Sequence, residues 1–169
     1  EASSDWLHYI KSSHMQSWVW VESPQLKRYY SQLTSGTNDI QSFRHVNVGI
    51  FYDGRMVRKA PEPAQIEKQL SDVFKAIQQS ELHPLIAGLV LHFEMYYIFP
   101  FMSHNHFICC YWHYLLVNTK FKNYPLLALF EYFNQHYAEY KTALEQSDKQ
   151  ADASAFVEFA LQGVFHQLH

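Results

Sequence analysis

Between His83 and Val117 the chain reads HPLIAGLVLHFEMYYIFPFMSHNHFICCYWHYLLV, an apolar stretch broken once, at Phe99-Pro100-Phe101. A helix that is apolar around most of its circumference, as Pro84 to Ile98 is, belongs at the centre of a fold rather than on its surface. Pro100 lacks an amide hydrogen and drives Phe99 out of the helical region, so the chain must form a loop before Phe107 to Val117 resumes as an apolar helix. That loop lies over a helix N-terminus. Free backbone N–H groups and the positive end of the helix dipole make such a place suited to a phosphate, provided small residues let the backbone approach.

The flanking sequence organises itself around this centre. Ser23-Pro24 reads as a cap and first-turn proline, Leu26, Tyr29, Tyr30 and Leu33 recur at helical spacing, and Gly36 stops the helix. Val46, Val48, Ile50 and Tyr52 then alternate with period two up to Asp53-Gly54, the pair a type I′ turn prefers, so a hairpin returns through Arg55 to Arg58. Pro61 and Pro63 open a helix with Ile66, Leu70, Val73, Phe74 and Ile77 on one face. Beyond Val117, Tyr124 to Ala143 reads as one helix carrying Leu127, Phe130, Phe133 and Tyr137, Gln146 to Asp152 as a polar connection, and Ala153 to Leu168 as a last helix carrying Phe156, Phe159, Leu161 and Phe165.

At 169 residues and 48% hydrophobic content the chain suits one domain with a sizeable core. A formal charge of -3 and the lack of a basic stripe argue against a nucleic-acid partner. His92 and Glu94 interrupt the best apolar run before it reaches the roughly 18 residues of a membrane span, which argues against a membrane partner. Cys109 and Cys110 are adjacent on a helix and point about 100° apart, so they read as buried thiols in a reducing, cytoplasmic compartment. A chain that opens on Glu1 rather than Met suggests either an excised domain or a trimmed chain, and the sequence does not say which. Target identity and oligomeric state are not legible.

The loop resembles the signature of the Fic family, His-Pro-Phe-x-(Asp/Glu)-Gly-Asn-Gly-Arg-x-x-Arg, in the run Phe99-Pro100-Phe101-Met102-Ser103-His104-Asn105-His106-Phe107-Ile108-Cys109-Cys110. Pro100, Phe101 and Asn105 match it. The resemblance extends to Gln41-Ser42-Phe43-Arg44 before the hairpin, Lys59-Ala60-Pro61-Glu62-Pro63 after it, and His83-Pro84-Leu85-Ile86-Ala87 with His92 in the central helix. It continues through Tyr132-Phe133, Tyr137, Glu139-Tyr140, Ala143-Leu144 and Phe156 to Val164. It implies a mainly α fold over residues 24–169: a Fic-like helical bundle with a central helix-loop-helix and a β-hairpin flap. Residues 1–23 would be an N-terminal segment in which Ser12-Ser13-His14-Met15-Gln16-Ser17 is similar to the family's inhibitory Ser-Ser-x-Ile-Glu-Gly, with Ser12, Gln16 and Ser17 at the informative positions.

The family transfers a phosphate-containing part of a nucleotide, usually AMP from ATP, to a protein hydroxyl, and the resemblance assigns each mismatched position a role. Phe99 stands where the general base belongs and cannot take a proton. Ser103 replaces the acidic magnesium ligand. His104 and His106 replace the glycines of the anion hole, and Phe107 and Cys110 replace the two phosphate-binding arginines. The expectation is a pseudoenzyme that has lost protein adenylylation (AMPylation), with no catalytic residue assigned, ATP and magnesium not expected as cofactors, and a protein partner. In the family the flap docks an extended target segment by strand addition, which assigns Val48, Ile50, Tyr52, Asp53, Gly54 and Arg55 to docking.

Three points have two readings each. The hairpin is either a docking flap or an edge protected from pairing by Arg55, Arg58 and Lys59. His104, His106 and His113 could be metal ligands, but a metal needs three or four convergent donors and no cysteine or carboxylate sits at useful spacing. Solvated loop histidines and no metal are therefore expected, with Cys109 and Cys110 a buried, inert pair. Finally, a divergent transferase could use the same cleft with His104, His106 or Glu94 as base.

Overall fold

A computed structural model of the chain describes residues 43–121 and 126–167. The helix expected from Ser23 to Gly36 and the inhibitory-like Ser12, Gln16 and Ser17 lie outside these. In order, the described elements are strands β1 (Gly49–Tyr52) and β2 (Arg55–Lys59), a 3-10 turn at Pro63–Gln65, and helices α1 (Ile66–Gln79), α2 (Pro84–Ile98), α3 (Asn105–Lys120), α4 (Leu126–Gln135), α5 (Tyr137–Gln150) and α6 (Ser154–Gln167). The fold is mainly helical, with the hairpin as its one sheet among the described residues.

Helix α2 occupies the middle, as its all-round apolarity requires, and packs against α1, α3 and α6. On one side lies a cluster built from Ile66, Leu70, Phe74, Leu91, Met95, Ile108 and Trp112. On the other, Leu89 and Phe93 meet Phe130, Phe133, Tyr140, Phe156 and the inner hairpin residues Ile50 and Tyr52. The face of α1 that is buried, Ile66, Leu70, Phe74 and Ile77, follows the expected 3.6-residue pattern.

Asp53 and Gly54 both take positive φ, 48° and 78°, as a type I′ turn demands. The strand begins at Gly49, later than the alternation from Val46 suggests. A bulge next to Ile50/Phe51 pairs Ile50 with Arg58 and Phe51 with Met56. Ile50 and Tyr52 are thereby buried, while Phe51 and Met56 are exposed.

Two helix boundaries differ from the sequence reading. The single helix expected from Tyr124 to Ala143 is two, because His136 leaves helical geometry (φ -109°, ψ 44°) between α4 and α5. The His136 amide still donates to the Tyr132 carbonyl and its own carbonyl accepts from Tyr140, so no proline or glycine is needed to turn the chain. The polar stretch from Gln146 is mostly the last turn of α5, not a connection. Its Ser147 and Asp148 are buried because both find partners: the Ser147 hydroxyl accepts from the Phe156 amide at 3.0 Å, and Asp148 accepts from the hairpin.

Candidate functional site

The break after α2 is closed by Phe99, whose φ of 51° makes it a left-handed C-cap. Two polar side chains fix the loop that follows. Asn105 accepts from the Phe101 amide at 3.0 Å and donates to the Phe101 carbonyl at 2.8 Å, bridging the loop to the first residue of α3. Arg44, 2% exposed, donates from Nε to the Phe99 carbonyl at 2.7 Å and to the carbonyls of Val46 at 3.0 Å, Ile98 at 3.2 Å and Pro61. Its backbone amide adds a bond to the Pro100 carbonyl at 2.9 Å. One guanidinium thus ties the entry and exit of the hairpin to the end of α2.

The hairpin is pinned at its other end by Asp148. Tyr52 donates its hydroxyl to one carboxylate oxygen at 2.9 Å, and Arg58 Nε donates to the other at 2.8 Å while its guanidinium lies 4.0 Å from the Tyr97 ring centroid. Burial holds the Tyr52 phenol well above its ordinary pKa, with Tyr96 and Asp148 adding to the effect. Arg58 is therefore a largely buried tie rather than the exposed edge charge that the strand pattern suggested. Outside this tie, Asp53 pairs with Lys141 at 3.0 Å on the surface. Gly54 and Arg55 are exposed at the hairpin tip, and Val48 is half-buried.

Helix α3 starts at Asn105, two residues earlier than Pro100 and the apolar pattern imply, because the Asn105 bridge and the left-handed His104 (φ 59°) complete its first turn. This moves His106 from loop to helix. Its Nδ1 lies 2.9 Å from the Tyr140 hydroxyl, so it is not a solvated loop histidine. Cys110, one turn on, has Sγ 3.9 Å from His106 Nε2, so a cysteine does sit at useful spacing. From α2, His92 reaches the same Tyr140 hydroxyl at 3.2 Å. Burial, then the neighbouring His113 and His106, hold His92 well below its ordinary pKa, and burial alone lowers His106 and raises the Cys110 thiol. Sequence reading missed His92 and Tyr140 as partners of this cluster; their helical faces were the available signal.

The remaining motif positions are apolar or solvent-facing. Phe101 is fully buried against Phe43, at 5.4 Å between ring centroids, and Phe99 meets Tyr96 edge-on at 6.2 Å. Phe107 is half-buried and packs at 6.0 Å from the His106 ring. His104 is exposed, with Nδ1 2.8 Å from the Ser103 hydroxyl. Between Glu94 and Lys120 the sequence contains no Asp, Glu, Lys or Arg. Glu94 itself is half-buried on α2, and burial raises its carboxyl pKa.

The match to the model of the Fic/DOC family spans residues 20–117, more than half the chain and all of the hairpin, α2 and the loop. The chain belongs to the Fic/DOC family. Its fold is similar to the crystal structure of a Fic family protein from Desulfovibrio desulfuricans G20, at 24% identity and a TM-score of 0.80 over 96% of this chain and 49% of that one. This Fic domain thus spans about half the length of that protein. No curated protein matches it. No helix among the described residues is long and apolar enough to cross a membrane.

Proposed function

We propose that this Fic domain binds a protein through its hairpin and does not transfer adenylyl groups. The observation that carries the reading is the uncharged run from Met95 to Thr119, which includes the whole loop and the first turns of α3. A nucleoside triphosphate with its magnesium needs carboxylate oxygens for the hard cation and cationic donors for the phosphates, and this run offers neither. Of the alternative bases, His106 is half-buried and engaged by Tyr140, and Glu94 is half-buried on the central helix; His104 is the exposed one.

The hairpin keeps what docking requires. Its backbone is held by Arg44 and Asp148, which use no side chain of the motif. Its outer face carries the exposed pair Phe51 and Met56, packed across the strands over Gly49, where even a Cβ would meet the Phe51 ring at 2.9 Å. Ile50 and Tyr52 support the strand from within, so docking falls to the main chain and to the Phe51 and Met56 side chains.

Thermal unfolding with magnesium and millimolar ATP tests the second half, the absence of adenylyl transfer. A ligand held only by the native state raises the midpoint by linkage, so the expected result is no shift, together with no labelled product from radiolabelled ATP. A reproducible rise or a labelled band refutes it. The Ser103–His104 contact favours a second reading, a divergent transferase with His104 as base, under which His104→Ala would abolish that label.

A further inference from the structure

We propose that His92, His106 and Cys110 form a buried binding site for a zinc-class divalent ion, set between α2, α3 and α5. One ring nitrogen of each histidine and the cysteine sulfur lie within 4.8 Å of one another. The His106–Cys110 edge, at 3.9 Å, is already close to the roughly 3.5 Å edge of a zinc tetrahedron built from metal–ligand bonds of about 2.0–2.3 Å. The i, i+4 spacing puts these two donors on one face of α3, and His92 supplies the third from the facing helix.

Burial and hydrogen bonding point the same way. His92 is fully buried and its Nδ1 has no hydrogen-bond partner, which leaves that nitrogen open to a ligand. The Tyr140 hydroxyl sits within hydrogen-bond distance of both histidines, the kind of outer contact that fixes the ring orientation of metal-bound imidazole. His106 is the one member that keeps solvent contact, which gives an ion its way in. Two imidazoles and a sulfur favour zinc over magnesium or calcium, which prefer oxygen. Three protein ligands leave a fourth position for water. On binding, Cys110 exchanges its S–H bond for a sulfur–metal bond and the proton passes to solvent, one per ion.

The site is distinct from the family's nucleotide site in chemistry, and it does not depend on whether ATP binds. Two of its donors stand where the signature has its second glycine and last arginine. The residues that take away the phosphate cradle are therefore the ones that supply nitrogen and sulfur.

The test uses the full chain, stripped with chelator and dialysed against zinc or against cobalt(II) as a spectroscopic stand-in. The expected result is one ion per chain, a thiolate-to-cobalt charge-transfer band, and intense ligand-field bands of tetrahedral cobalt. The near-isosteric Cys110→Ser should remove the charge-transfer band and weaken zinc binding more than about a hundredfold, and Tyr140→Phe should weaken it by about 10–100-fold. Cys109→Ser and His104→Ala should leave both readouts unchanged. Zinc should also raise the unfolding midpoint of the parent and not that of Cys110→Ser, whose fold is checked by circular dichroism. Failure of the parent to bind stoichiometric metal, a charge-transfer band that survives Cys110→Ser, or loss of binding in His104→Ala would overturn the proposal.

Discussion

Asp148→Asn should destabilise the domain far more than a one-atom change suggests. The side chain is fully buried, accepts from Tyr52 and Arg58, and is the anion facing a guanidinium whose side chain is only 11% exposed. An amide can keep the Tyr52 bond but leaves Arg58 as a buried cation without a counter-charge. Removing one partner of a buried pair typically costs 3–5 kcal/mol, on the order of 4 here, and the lost charge-assisted bond alone accounts for about 1.5–3 of it. For a chain of this size that corresponds to a fall of roughly 10 °C in Tm. Urea titration of the parent, Asp148→Asn, Arg58→Met and the double variant closes the cycle. Since Arg58→Met takes away the stranded charge, the double variant should recover about 2 kcal/mol relative to the sum of the singles. A cost below about 1 kcal/mol for Asp148→Asn, or additive singles, would refute the claim that this tie holds the hairpin down.

Gly163→Ala should cost about 1–3 kcal/mol in a thermal melt despite alanine's helical preference, because the new Cβ would lie 2.5 Å from Tyr132 Cδ1; a stabilised variant would mean α4 and α6 are not packed this way. With chelator present, acid should weaken the fold through His113, which burial holds down to about 3 while the unfolded chain takes up its proton near 6.5. The native state then binds fewer protons, so the His113 contribution is present above pH 6.5 and is lost below it, by roughly 2 kcal/mol at pH 5; because burial holds His92 and His106 down in the same direction, His113→Leu should reduce that slope in urea titrations at each pH without abolishing it, and an unchanged slope would exclude His113 as a source. Cys110→Arg alone should lose about 3 kcal/mol or more in urea, since it puts a cation among His92, His106 and Tyr140. Adding His106→Gly opens space beside it and should restore part of that loss, whereas a simple sum would show the two positions to be independent.

The helical periodicity of α1, the all-round apolarity of α2, the Asp53-Gly54 turn and the break at Pro100 are local features, and a local reading finds them. What it could not find depends on contacts between distant segments. His136 breaks a helix without proline or glycine because the amide and carbonyl bonds on either side persist, so no composition signal marks it. Gln146 to Gln150 look like a polar linker because the partners of Ser147 and Asp148 lie in α6 and the hairpin. The His92, His106 and Cys110 cluster was hidden for a related reason. Its two α3 members become helical neighbours only once Asn105 has started the helix, and His92 arrives from α2, 14 residues upstream of His106. Arg58 looked like an edge charge because the bulge that turns it toward Asp148 cannot be read from alternation.

The loop that follows α2 keeps its shape through two side chains that bond its backbone. Asn105 satisfies both backbone groups of Phe101, Arg44 takes four carbonyls from three segments, and neither depends on what occupies positions 99, 103, 104, 106, 107 or 110. Backbone geometry and reacting groups are therefore separable here: the first rests on Arg44 and Asn105, the second on six side chains that can change while the loop stands. The changes are not independent of one another, however. The imidazole at 106 turns inward beside a small, uncharged side chain at 110, and the thiol at 110 has the His106 nitrogen as its polar neighbour. This mutual fit, closed by Tyr140 across the helices, converts a surface that would face phosphate into a buried cluster of nitrogen and sulfur donors.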